Sequence, residues 1–189
     1  MSDTQKFLDT FPSWLGSLGA DAEHLAGLLA PEVAVESQEV AAAGLNYLFK
    51  SLDLIPDGIH DIGYLDDAFV LRVAADLALR TNVEAAGEET LDTIQRLSSD
   101  CDVIREFLND DYDRLERYVR GLRQGAARGR SVEAILGKED VRGEFITDVR
   151  GFSQGYECPS FNRDEKNLTK LRAFLDAKLP RTPTSLYPE

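Results

Sequence analysis

Tyr47-Leu48-Phe49-Lys50-Ser51-Leu52-Asp53-Leu54-Ile55-Pro56-Asp57, followed after five residues by Gly63-Tyr64-Leu65-Asp66-Asp67-Ala68, is the stretch on which the fold turns. Pro56 disfavours helix at the residue before it, and Gly58 and Gly63 permit tight turns, so residues 53–63 read as a loop. The helix entering that loop, about 32–52, carries Val33, Val40, Ala43, Leu45, Leu48 and Phe49 at mostly helical spacing. The helix leaving it starts near 64–67 and carries Ala68, Phe69, Leu71, Val73, Ala74, Leu77 and Leu79. Two helices and a loop make a helix-loop-helix hairpin, expected at the centre of the molecule.

Outward from the hairpin, helix formers dominate and strand-like alternation is nearly absent. Phe7, Phe11, Trp14, Leu15 and Leu18 are interrupted by Pro12, Gly16 and Gly19, which predicts a short apolar arm or broken helix packed on the body. Asp21 can cap a helix running to Ala30, where Pro31 punctuates. Beyond the hairpin, a helix is expected over 88–97. Ser99, Cys101 and Asp102 then suggest a capped start for the longest helix, to about 124. Its stripe of Ile104, Leu108, Tyr112, Leu115, Val119 and Leu122 recurs every three or four residues, as a core-facing helix requires. Residues 125–130 read as a flexible connection, within a basic stretch 123–130. Helices follow at 131–136, 139–152 and 164–178, with a loop over 155–162 that folds onto the body and an extended tail over 180–189. The expected fold class is all-α: a compact multi-helix bundle of seven or eight helices. It forms a single domain over 1–189, in which residues 131–189 wrap around the hairpin, as a helical segment over 131–179 and the tail.

A chain of 189 residues buries roughly 70% of the surface it exposes when unfolded, so it needs no disulfide or metal to fold. With 43% apolar and 29% charged residues, disordered, collagen-like and disulfide-scaffold classes are excluded. The 21 basic and 34 acidic residues leave a net charge of −13, the wrong sign for neutralising phosphates, so no nucleic-acid partner is expected. Residues 1–113 carry net −17 and residues 114–189 net +4. That asymmetry fits simple solubility, a head-to-tail homo-oligomer, or two faces with different partners. Cys101 and Cys158 form no metal-ligand pattern and read as free thiols. Met1-Ser2-Asp3-Thr4 lacks the basic and apolar regions of a secretory signal, and no apolar run approaches the ~20 residues of a membrane span. A cytoplasmic protein without a transmembrane segment is the expectation.

The chemistry of the central stretch lies in its carboxylates. Asp53, Asp57, Asp61, Asp66 and Asp67 fall within fifteen residues, with His60 among them. Hard cations such as Mg²⁺ or Ca²⁺ take several carboxylate oxygens, so these five are the candidate metal ligands. A metal there could position a phosphate or a water for hydrolysis. The same residues also have structural uses. Asp53 can accept turn amides, Asp57 can close a turn after Pro56, and Asp66 and Asp67 can offset a helix dipole. The spacing does not follow the alternating ligands of a twelve-residue calcium loop.

The two blocks together, Asp53-Leu54-Ile55-Pro56-Asp57 and Gly63-Tyr64-Leu65-Asp66-Asp67, resemble the YkvA-like family, also called domain of unknown function 1232, over about residues 42–78. The resemblance implies a compact helical hairpin and no established biochemistry. Many relatives look membrane-associated, with an apolar helix after the motif. Here Arg72, Asp76 and Arg80 interrupt that helix, and His60 stands in a loop usually apolar in the family.

A second feature is basic. Arg114, Arg117 and Arg120 each follow an acid by four residues (Asp110, Asp113 and Glu116), the favourable ion-pair order on a solvated helix. Arg123, Arg128 and Arg130 lack such partners and are the candidate contacts for an anion or an acidic partner. No nucleophile elbow, phosphate-binding glycine loop or HExxH motif is present. The functional expectation is a non-enzymatic binding or scaffold module with a protein partner, using the acidic loop and the basic 123–130 connection. The alternative is a divalent-metal-dependent enzyme acting on a phosphorylated small molecule. No cofactor is predicted beyond Mg²⁺ or Ca²⁺ in the loop.

Overall fold

A computed structural model describes residues 3–181. Helix α1 (Asp3–Leu25) leads through a 3₁₀ turn into α2 (Val35–Tyr47), and a loop then reaches α3 (Leu65–Leu79). Helices α4 (Glu88–Leu108) and α5 (Tyr112–Gly121) follow. A two-stranded antiparallel hairpin, β1 (Ala126–Ala127) and β2 (Arg130–Ser131), precedes α6 (Val132–Gly137), α7 (Glu139–Gly155) and α8 (Glu165–Lys178). The all-α bundle read from the sequence is the fold, and that hairpin is the only departure from it among the described residues.

Helix α3 is the axis of the molecule. Every residue from Leu65 to Ala75 is buried, the mark of a helix covered on all sides. Helices α1, α2, α4 and α5 pack around it. The run Ala41-Ala42-Ala43-Gly44 brings α2 close: a side chain at Gly44 would meet Ala74 Cβ at 2.7 Å. Buried residues from α1 through α8 belong to one core. Phe7, Phe11, Trp14, Phe69 and Phe107 interlock at its α1 end, with ring centroids 5.0–6.1 Å apart.

Three expectations are corrected. Residues 3–25 form one helix through Pro12. Proline forfeits one backbone bond, but the burial of Phe11, Trp14, Leu15 and Leu18 along one face holds the helix together. Ser99 does not start a helix; its hydroxyl donates back to the Gln95 carbonyl inside α4. The break falls instead at Asn109, whose backbone takes φ 50°, ψ −121°. Because α5 starts only at Tyr112, Asp110 lies off it. Arg114 pairs with Asp111 and Asp176 instead, and donates to the carbonyls of Asp176, Leu179 and Pro180. Four bonds from one guanidinium thus pin the end of α8 to α5. The expected tail is described only at Pro180 and Arg181; its remainder lies outside the described residues.

A buried ionic cluster ties the helices. Arg72 of α3 is fully buried, stacks on Trp14 with its guanidinium 4.2 Å from the ring centroid, and donates to Asp100 at 3.0 Å and to the Ala68 carbonyl. Asp21 lies 3.7 Å away and also pairs with Arg96. This is where the residue that breaks the apolar run of α3 goes: into the protein. Among the described residues no helix is long and apolar enough to cross a membrane.

Candidate functional site

The loop 48–64 is held by backbone bonds and a tyrosine. Tyr47, ending α2, donates to Asp66 Oδ2 at 2.5 Å and accepts from the Leu54 N–H at 2.7 Å; Asp66 Oδ2 also accepts from the Ile55 N–H at 3.0 Å. The turn after Pro56 is closed by its carbonyl, which accepts from Ile59 at 2.9 Å, rather than by the Asp57 carboxylate as expected. Gly63 is obligatory: a Cβ there would lie 2.4 Å from the Asp57 carbonyl.

The five carboxylates of the sequence divide four and one. Asp61, in left-handed backbone at φ 73°, faces away and accepts from the Asn162 N–H at 3.1 Å and from Asn167 Nδ2 at 3.2 Å, with His60 Nδ1 at 3.1 Å. Burial opposes ionisation there, but those bonds together hold its carboxyl below the usual range. Asp61 is a tether to α8 and its approach.

Asp53, Asp57, Asp66 and Asp67 share each other's fields. Burial, then the charges of Asp66 and Asp57, push Asp53 up to about 7 against the pull of Lys50. Burial, then Asp66, Asp57 and Asp53, raises Asp67 well above its ordinary value. Burial also raises Asp66, with the Tyr47 and Ile55 bonds opposing, and it raises Asp57. Three oxygens in this group, Asp53 Oδ1, Asp66 Oδ1 and Asp67 Oδ2, are buried without a hydrogen-bond partner. Lys50, the nearest cation, turns its Nζ to Tyr118 Oη at 3.3 Å and lies over the rings of Tyr47 and Tyr118. As the chain lies, no three His, Cys, Asp or Glu side chains among the described residues stand in metal-binding geometry.

The basic candidates also separate. Arg123 lies 3.7 Å from Glu39 and lines two surface depressions beside α2. Arg130 Nη2 lies 2.7 Å from Asp148 Oδ2. Arg128 makes no ion pair or side-chain hydrogen bond among the described residues, and its guanidinium sits 4.9 Å from the Phe49 ring centroid. Arg128 and Gly129 are the two turn residues of the β hairpin, at φ 48° and 76°. A turn with both central residues at positive φ favours Asn-Gly, and a long side chain in the first position is held against its own preference.

That hairpin places Arg128 on one wall of an open cleft of about 530 Å³. Asp57, Tyr64, Leu48 and Phe49 of the motif line the same cleft, and Thr147, Asp148, Gly151 and Phe152 of α7 complete it. Phe152 and Tyr156 pack together and Tyr156 meets Tyr64 edge-on, so the loop over 155–162 does fold onto the body. The acidic loop and the basic connection, read from the sequence as separate sites, line a single cleft. Sequence reasoning missed Phe49, Tyr64, Asp148 and Phe152 as members. Asp148 and Phe152, four residues apart on one face of α7, were the available signal.

An all-α bundle built around a carboxylate-rich loop is the class of protein these features define. Residues 40–72 match the model of a family described as Protein of unknown function (DUF1232). The match covers most of α2, the whole loop and half of α3, and so every carboxylate of the cluster, but neither Arg128 nor α7. No curated protein and no solved structure matches the chain.

Proposed function

We propose that the chain is a non-enzymatic binding module. Its ligand is a small molecule carrying an oxyanion, seated in the cleft between Arg128 and Asp57. The observation that carries this reading is Arg128: an unpaired guanidinium, held over Phe49 by a turn conformation unfavourable to arginine, on the wall of a 530 Å³ cleft. Its volume falls in the range of ~300–1,000 Å³ usual for small-molecule clefts. Phe49 and Phe152 offer the apolar surface, Arg128 two donors for a phosphate or carboxylate, and Asp57 and Tyr64 partners for a hydroxyl or amine. Asp148 is neutralised by Arg130 and does not oppose the anion. A protein partner fits this reading through a phosphorylated or acidic side chain entering the same cleft. Both cysteines are free thiols, in keeping with a cytoplasmic setting.

The alternative, a metal-dependent enzyme acting on a phosphorylated small molecule, draws support from Asp57, which belongs to both the cleft and the carboxylate cluster.

Calorimetric titration at low salt with inorganic phosphate and phosphoserine tests the reading. Saturable binding that weakens about tenfold or more in Arg128→Ala is the expected result, the size of one lost charge-assisted contact. Equal binding by both proteins, or none by the wild type, would remove Arg128 as the anchor.

A further inference from the structure

The cleft does not explain the carboxylates behind it. Asp66 and Asp67 are 0% and 3% exposed, on the rigid first turn of α3. Each has an oxygen with no hydrogen-bond partner, and so does Asp53 on the loop. Tyr47 and the Ile55 N–H are taken by Asp66 Oδ2, and Lys50 is turned to Tyr118. A buried charge without a partner costs several kcal/mol and is normally paired, protonated or bound to a metal. Here three orphaned oxygens and the exposed Asp57 belong to one electrostatic group, and none of the four carboxylates has an ion pair with a guanidinium or ammonium among the described residues.

We propose that this group is a binding site for a hard divalent cation such as Mg²⁺, Ca²⁺ or Mn²⁺. Asp66 Oδ1 and Asp67 Oδ2 are its fixed ligands, and Asp53 and Asp57 its mobile ones. Oxygen-only donors, all carboxylate, suit these ions over zinc or copper. Three ligands do not stand ready together, so the cation draws the loop bearing Asp53 and Asp57 onto α3. Asp61 is not a ligand, because its oxygens are used by Asn162 and Asn167. The site goes beyond the anion cleft and does not require it: the ligand set excludes Arg128.

Thermal melts of the full chain in EDTA, then with Mg²⁺, Ca²⁺ or Mn²⁺, test the site. One of these ions, at a hundred times its dissociation constant, raises the midpoint by about 5–10 °C. Asp67→Asn abolishes that rise and melts higher than the wild type in EDTA, since it removes a buried charge that lacks its counter-ion. A carboxylate placed only to hold the fold gives the opposite: Asp67→Asn melts lower in EDTA. Arg128→Ala keeps the full cation response, which separates this site from the cleft. Should Asp67→Asn fail to fold, Asp53→Asn on the exposed side of the group carries the same test. No shift with any of the ions, or a shift that survives these Asp→Asn changes, overturns the proposal.

Discussion

Helix α3 carries two buried charge clusters, and they are balanced in opposite ways. Around Arg72, two arginines meet two aspartates: Arg72 with Asp100 and Asp21, and Asp21 with Arg96. Trp14 covers the guanidinium face. Burial lowers the Arg72 pKa to about 10, with Asp100 and Asp21 opposing, so it stays charged at neutral pH. Less than two turns earlier, Asp66 and Asp67 meet Asp53 and Asp57, and the one cation that acts on the group, Lys50, opposes the rise at Asp53 without pairing with any of the four. The same helix in the same core thus closes one charge account within the chain and leaves the other open. A cluster that closes internally is architecture. One that requires something from outside marks where the molecule meets its surroundings.

Breaking the balanced cluster has the largest effect. Arg72→Met leaves Asp100 without its cation and Asp21 with Arg96 alone, around a buried gap, and lowers stability by about 3–5 kcal/mol, measured by urea unfolding. A loss under ~1 kcal/mol would mean the cluster is not the tie between α1, α3 and α4 that its bonds describe. Tyr47→Phe sharpens the comparison from the acidic side. It strands the buried Leu54 N–H and removes a donor from Asp66, at a cost of about 2 kcal/mol in the same assay. A neutral outcome would show that the loop is held by its backbone bonds alone.

The smallest effect is on pH dependence. Asp53, raised from 3.8 to about 7, binds a proton more tightly folded than unfolded, and Asp57, Asp66 and Asp67 shift the same way. The penalty for ionising them is absent below about pH 4 and grows as pH rises to about 7, so stability falls over that window. In EDTA the midpoint is therefore roughly 2–4 °C higher at pH 5.5 than at pH 8, less than full burial would give because Asp53 is partly solvated. A midpoint that rises with pH would contradict the open account.

Most of the helices were legible from apolar spacing, and the loop from Pro56, Gly58 and Gly63. What failed did so for physical reasons. Pro12 reads as a break because a local rule sees the missing N–H and not the core that α1 lies on. The stripe from Leu108 to Tyr112 advances by four whether or not the helix is continuous, so periodicity hid the kink at Asn109. The β hairpin escaped because its turn is Arg-Gly, not the Asn-Gly that signals such turns. For the candidate site, the residue types were visible and their grouping was not. Asp61 looks like its four neighbours in sequence, yet from left-handed backbone it bonds to Asn162 and Asn167 instead of joining their cluster. Arg128 and Asp57 lie seventy-one positions apart, and only the packing of α7 and the hairpin against the loop puts them across one cleft.

The tether at Asp61 has a consequence for how the central stretch can be handled. Its anchors, Asn162 and Asn167, lie 101 and 106 residues further along the chain. A peptide spanning the conspicuous window, or a graft of it onto another bundle, would carry the letters without the mooring that shapes them. A transplant that is to keep the shape of the loop must therefore bring Asn162 and Asn167 with it.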